Sequence, residues 1–599
     1  MQATRYQVAA LDPNAHLFEV RCTIDDPDPR GQRYRLPAWI PGSYLIREFA
    51  RQFVHVRAES AGAAVAIAKE AKDVWRASPA TAAITIIAQV YAYELSVRTA
   101  YLDRTRAYFN GASLFLLPEG REHAACTVEL LRPHGDDFSE WRVATTLEPD
   151  GAAPHGFGRY KAVDYDELID HPVEMSDFAL AAFAAGAVRH EVAITGRHHA
   201  DLERLARDLA RICQWQIDLF GNAPQSRPPF DRYLFQITAV GEGYGGLEHR
   251  SSTSLLCRRD ELPVRGRSDI GDGYLHLLGL ASHEYFHSWN VKRIKPAVFM
   301  PYDLAREAYT RQLWAFEGIT SYYDDLALVR SGVIDDTQYL VLLGRAVSQV
   351  LRTPGRHRQS IGDSSFDAWI KFYRQDENSP NAVVSYYAKG SLVALALDLD
   401  LRSAGRTSLD SVMRTLWQRH GRAGIGVPED AIESIVGELA GEDMRTFFAC
   451  YVDGTDDPPL ADLLAAFGID CHLRPAGGTA DRGGTPSSSA VPACWFGARV
   501  GKDLTLQHVF TGSPAERAGL AARDVLVAID GVRASGESVD ALATSRAAGE
   551  RLTVHAFRRD ELFVVDVELA RAPLDTCYLV PKPDATSAAT ALRQAWLHG

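Results

Sequence analysis

The 599-residue chain has no C-x-x-C pair among its eight cysteines (Cys22, Cys126, Cys213, Cys257, Cys450, Cys471, Cys494 and Cys577). Their scatter excludes a zinc ribbon and a disulfide framework. No run of eighteen apolar residues occurs, so no transmembrane helix and no membrane partner is expected. Basic residues are outnumbered, the formal charge is −13, and no Lys/Arg stripe reverses that balance. Nucleic acid is therefore not an expected partner. Met1-Gln2-Ala3-Thr4-Arg5-Tyr6-Gln7-Val8 has no basic segment leading into an apolar one, so a cytoplasmic location is expected. The loop Gly241-Glu242-Gly243-Tyr244-Gly245-Gly246 lacks the Lys-Ser/Thr and the following helix of a phosphate cradle. No internal repeat recurs at a fixed period. What is left is an ordinary globular composition, 46% apolar and 24% charged, in a chain too long for one core.

Against this background one stretch stands out, Leu280-Ala281-Ser282-His283-Glu284-Tyr285-Phe286-His287-Ser288-Trp289-Asn290. It contains H-E-x-x-H inside an apolar run that predicts a buried helix over 269–293. Four-residue spacing puts His283 and His287 on one helix face, where both can offer a nitrogen to one metal ion. Glu284 lies beside them as a candidate general base. A catalytic zinc needs a third protein ligand. Glu317 is the candidate: a carboxylate inside the apolar, aromatic run Leu313–Tyr323, which predicts a second helix over 305–331. An unpaired buried carboxylate is costly, so a metal or a cation should face it. Ser385-Tyr386-Tyr387-Ala388-Lys389-Gly390 offers two hydroxyls for a developing oxyanion, with nothing in the residues alone to choose between them.

The rest of the chain reads in blocks. Residues 1–185 alternate in short β segments separated by Pro, Gly and Asp, which predicts an N-terminal β-sandwich. Within it, Pro37-Ala38-Trp39-Ile40-Pro41-Gly42-Ser43-Tyr44 reads as a rigid corner packing its aromatics inward, in preference to a substrate loop. Residues 186–471 form the expected catalytic domain: helix 199–219, strands 232–240 and 247–256, the two helices above, then mostly helix. Residues 472–494 are rich in Gly, Ser, Thr and Pro and read as a flexible linker. A compact strand-and-turn module over 495–575 and a tail over 576–599, Ala-rich from Pro581 and suited to a short terminal helix or a frayed end, complete the chain.

H-E-x-x-H, Glu317 in a W-x-x-E-G context and a later Y-x-K-G together resemble the gluzincin zinc aminopeptidases. Gly245-Gly246-Leu247-Glu248-His249 is similar to that group's G-x-M-E-N strand, with Leu for Met and His for Asn. Those departures, together with Pro37–Tyr44, Arg47-Glu48-Phe49, Ser288–Pro296 and a PDZ-like end, resemble the glycyl-aminopeptidase family with a C-terminal PDZ domain. The resemblance implies a multidomain α+β protein: β-sandwich, thermolysin-like α/β part to about residue 330 with a helical part after it, and PDZ domain. It implies one zinc ion on His283, His287 and Glu317, Glu284 as general base, and Tyr387 as oxyanion donor, since Tyr387 fills the Y of Y-x-K-G. It also implies that Glu248, beside Gly245 and Gly246, binds the substrate's α-amine. The expected activity is removal of small N-terminal residues, glycine foremost, from peptides with a free N-terminus. The PDZ module would take a peptide or protein C-terminus. An endopeptidase and a catalytically inactive PDZ scaffold are the alternatives. Glu248 argues against the first and Glu284 beside both histidines against the second.

Overall fold

The computed structural model describes residues 2–221, 226–486 and 493–599. The chain is a multidomain α+β protein that divides into two compact units, one of residues 1–308 with 416–427 and the other of residues 309–415 with 428–599.

In the first unit an eight-stranded sheet and two four-stranded sheets are built from residues 4–176. Their strands alternate inward and outward, as in Leu17–Ile24, where every second residue is buried. Tyr6, Val8, Phe18, Phe109 and Phe115 belong to the resulting core, and so do Leu247 and Leu256 from the next sheet. That next sheet has five strands. Val188–Thr195 (β1), Arg232–Val240 (β2) and Ser252–Arg258 (β4) run parallel, and Gly245–Glu248 (β3) closes one edge antiparallel to β4. Leu247 and Leu256 thus tie the β-rich region to the edge strand that carries Glu248.

Helix α1, Leu202–Gly221, and helix α2, Asp272–Phe286, pack on this sheet. Gln216 of α1 donates to the carbonyl and the hydroxyl of Ser282, at 2.9 Å each, one residue before the H-E-x-x-H. The helix expected to reach residue 293 stops at Phe286. Side chains take over the carbonyls there: His287 Nδ1 meets Asn290 O at 2.6 Å and Arg293 donates to Ser288 O at 2.7 Å. Each offers the backbone an alternative to the next helical turn.

The second unit begins its helices with a wide π turn, Trp314–Gly318, that runs into α3, Ile319–Arg330. Helices α4 (Asp336–Leu351) and α5 (Ala388–Ser403) follow. Between α3 and α5 lies a buried charge cluster. Asp410 accepts from Arg330 at 3.0 Å, from Arg402 at 2.6 Å and from the Tyr323 hydroxyl at 2.7 Å. Asp398 accepts from Arg402 at 2.9 Å and from the Tyr322 hydroxyl at 2.6 Å.

The linker expectation needs correction. Ile469–Arg474 (β5) pairs antiparallel with Thr576–Pro581 (β6), with Arg474 opposite Thr576. Residues 475–486 lie on α4 and β6: Gly484 N–H donates to Cys577 O, and Arg474 ion-pairs with Asp481. Glycine content at 483 and 484 reflects close packing on Ser348 and Val341, and not chain freedom. Residues 487–492 of the expected linker lie outside the described residues. The tail forms helix α6, Ser587–His598, whose Trp596 is fully buried and donates to the Tyr322 hydroxyl at 2.9 Å. The PDZ-like module, with its own core of Leu506, Leu526, Leu552, Val554 and Val567, is therefore inserted between two paired strands.

Candidate functional site

The first unit brings four of the expected residues together. His283 lies on the last turn of α2 and His287 caps that helix, their rings nearly perpendicular with centroids 4.7 Å apart. His287 is buried, and its Nδ1 is held by Asn290 O. A proton on Nδ1 donates to that carbonyl and leaves Nε2 as the nitrogen that carries the lone pair. Glu284 is 5% exposed and Glu248 3% exposed. Glu248, Glu284 and His287 each offer one ligand atom, all within 4.8 Å of one another. Two carboxylates so close and so buried demand positive charge. Glu248 Oε1 accepts no hydrogen bond among the described residues.

Glycines make this proximity possible. Gly246 lies on β3 against the carboxyl of Glu284. A Cβ there would come 2.5 Å from Glu284 Cδ, well inside contact distance. The Gly246 carbonyl accepts from Arg98 at 3.2 Å, which pins the strand from the β-rich side.

A network that sequence reasoning missed holds the strand from below. Asp170 is bonded to Lys292 Nζ at 2.7 Å, to His249 Nδ1 at 3.1 Å and to Arg250 Nε at 2.8 Å. Burial alone would raise the Asp170 carboxyl, but Lys292, Arg250 and His249 override it and hold it well below the usual carboxylate range. Burial likewise keeps His249 below its ordinary value. The network joins the residues after Glu248 to the stretch after the zinc motif. Asp170 itself sits in no recognisable pattern; only the run Ser288–Pro296 signalled that something was fixed there.

The corner Pro37–Tyr44 packs its aromatics inward as expected: Trp39 and Tyr44 are fully buried. Trp39 Nε1 donates to Asp303 O at 2.9 Å and Tyr44 stacks on Phe299 at 5.9 Å. It also does something not expected, which is to bring Gly42 against Glu248.

In the second unit, Glu317 is 2% exposed on the π turn. Gly318 and Gly390 explain the two glycine motifs, because their backbones touch: a Cβ on Gly318 would come 2.7 Å from Gly390 Cα. Lys389 anchors the same turn of α5, donating to Thr455 O at 2.9 Å and pairing with Asp457 at 3.1 Å. Tyr386 is fully buried, and burial together with nearby acidic groups, Glu317 among them, pushes its hydroxyl well above the usual value. Tyr387, at the N-terminus of α5, is only half-buried, and its hydroxyl lies 3.0 Å from that of Tyr373.

Family models match residues 5–177 as a Peptidase M61 N-terminal domain, 276–393 as M61 glycyl aminopeptidase and 509–553 as a PDZ domain. A crystal structure of an aminopeptidase N family protein from Idiomarina loihiensis is 38% identical, covers 100% of both chains and superposes with a TM-score of 0.94. An M1 zinc metallopeptidase from Deinococcus radiodurans is 13% identical over 77% of this chain and 95% of its own, with a TM-score of 0.48. Among curated proteins none matches. The chain belongs to the M61 glycyl aminopeptidase family.

Proposed function

We propose that the chain is a zinc aminopeptidase that removes small N-terminal residues, glycine foremost, from peptides with a free amine. The observation that carries the exopeptidase reading is Glu248: a buried carboxylate with an orphan oxygen, on an edge strand, beside the candidate base. A substrate ammonium supplies the missing donor, and charge-assisted hydrogen bonds are the strong ones. The outer edge of β3 lets the peptide backbone add as a further strand.

In this reading one zinc ion is held by His283, His287 and Glu317. Two neutral imidazoles, one already fixed through Nδ1, and one carboxylate are a donor set suited to catalytic zinc. Bound there, zinc supplies a Lewis acid that polarises the scissile carbonyl. Glu284 takes the proton of the attacking water and returns it to the leaving amine. The half-buried Tyr387 donates its hydroxyl to the developing oxyanion, a role that fully buried Tyr386 is poorly placed to share. Residues 1–185 serve as the N-terminal domain, 186–471 as the catalytic domain and 495–575 as a PDZ domain offering a site for a peptide C-terminus. No described helix is long and apolar enough to cross a membrane.

The test compares glycyl peptides with their N-acetylated forms. Acetylation removes the charge that Glu248 reads, and kcat/KM should fall at least about 100-fold. Equal cleavage of both forms overturns the aminopeptidase reading. A chelator should abolish hydrolysis and one equivalent of zinc should restore it.

A further inference from the structure

We infer that Gly42, on the corner loop of the β-rich region, is a positioning residue for amine recognition: its bare Cα is the backstop that holds the Glu248 carboxylate at the substrate's N-terminus. The inference rests on the reading of Glu248 above. Gly42 has φ +92°, a conformation that L side chains rarely adopt. A Cβ there would lie 2.5 Å from Glu248 Oε1 and 2.6 Å from Glu248 Cδ, so the carboxylate lies flat on the glycine backbone. No other residue type leaves it that room.

The loop is built to keep Gly42 in place. Trp39 and Ala38 are bonded to the carbonyls of Asp303 and Leu304, at 2.9 and 2.7 Å. The Arg47 guanidinium donates to Ser43 Oγ at 2.6 Å, and Ser43 N–H donates to Ile40 O at 3.0 Å. These bonds tie the turn on both sides of Gly42. A carboxylate held this way meets the ammonium without first being drawn from water or from another rotamer, which is where preorganisation adds affinity. A side chain at position 42 would push the carboxylate into the space the ammonium takes.

A double-mutant cycle tests this on the full-length enzyme, with Gly42→Ala and Glu248→Ala measured alone and together on a glycyl amide and its N-acetylated form. Gly42→Ala should raise KM for the free-amine substrate about tenfold or more, with kcat changed far less. In the Glu248→Ala background the same substitution should cost almost nothing further, because the group it displaces is gone. An equal loss in both backgrounds, or no loss in either, overturns the inference. If Gly42→Ala alone does not fold, the double variant decides: recovery of folded protein when the carboxylate is removed supports the contact, and continued misfolding means that the backbone conformation alone demands glycine, which overturns it. Should Glu248→Ala itself keep full preference for the free amine, the reading of Glu248 fails, whatever Gly42 does.

Discussion

A general base works only from one place. Glu284 is buried beside Glu248 and His287, and its carboxyl rests on the one backbone position, Gly246, that has no side chain to displace it. Glu284→Gln keeps the shape and removes the proposed base. Turnover should fall about 10³-fold while bound zinc, measured by elemental analysis, stays at the wild-type level. Retained turnover would assign the base elsewhere. Gly246→Ala should act on the same group from the other side. Its Cβ would have to move the Glu284 carboxyl, so kcat should fall about 100-fold or more with zinc retained. An unchanged kcat means that Glu284 does not work from the position seen. The two substitutions differ in one respect: only Gly246→Ala also alters the strand on which the peptide is proposed to lie, and only it should raise KM for longer peptides.

Among the elements, α3 and α5 are held by charge where most helix pairs are held by packing alone. Asp410 is the hinge of that arrangement, held at about 2 because Arg330 and Arg402 outweigh the upward push of burial. The folded value lies below the unfolded value of about 3.9, so the stabilising contribution is complete above about pH 4. It is lost as pH falls towards 2. Asp410→Asn should therefore lower Tm by at least about 5 °C at neutral pH, since removing one partner of a buried pair costs about 3–5 kcal/mol. The deficit relative to wild type should shrink on acidification, and thermal melts at pH 7 and pH 3 check it; a deficit that does not change with pH would place the cost in packing. The same cluster reaches helix α6, because Arg330 donates to Trp596 O at 2.8 Å. That is why a segment readable as a short terminal helix or a frayed tail is part of the helical core.

At the scale of the whole molecule, what could be read in the sequence was whatever lies close along the chain. The proposed metal-binding pair is four residues apart at the end of one helix, and Glu248 is announced by the glycines beside it. The stretch after the two site helices was expected to be mostly helix, and Asp336–Leu351 and Ala388–Ser403 are there, whereas the short helices Ile361–Phe366 and Ser379–Ala382 were not foreseen. What could not be read joins distant residues. Gly42 meets Glu248 across about two hundred positions, and the contact consists of an absent side chain. Asp170 meets Lys292 in the same way, and β5 meets β6 across the entire PDZ-like module. A composition rich in Gly and Ser signals a linker or close packing equally well, and only the partners decide. That last pairing changes how the module must be removed. Truncation from residue 472 would remove β6 and α6, Trp596 with them, and uncover the helical core that Trp596 packs on, so activity would be lost through unfolding. Excision of 487–573, bridged by a short Gly-Ser link, leaves both strands and the Gly484–Cys577 hydrogen bond intact. That variant should fold, with α6 still protected from hydrogen exchange. It would lose the bonds that Asn381 makes to Val509 O and Thr511 N, at 2.8 and 2.9 Å, in the segment between Tyr373 and Tyr387. If the module only docks substrates, glycyl amides should be hydrolysed at the wild-type kcat. If its contact with that segment steadies Tyr387, kcat on the same small substrates should fall while zinc content and Tm do not, and Asn381→Ala in the full-length chain should reproduce part of that fall.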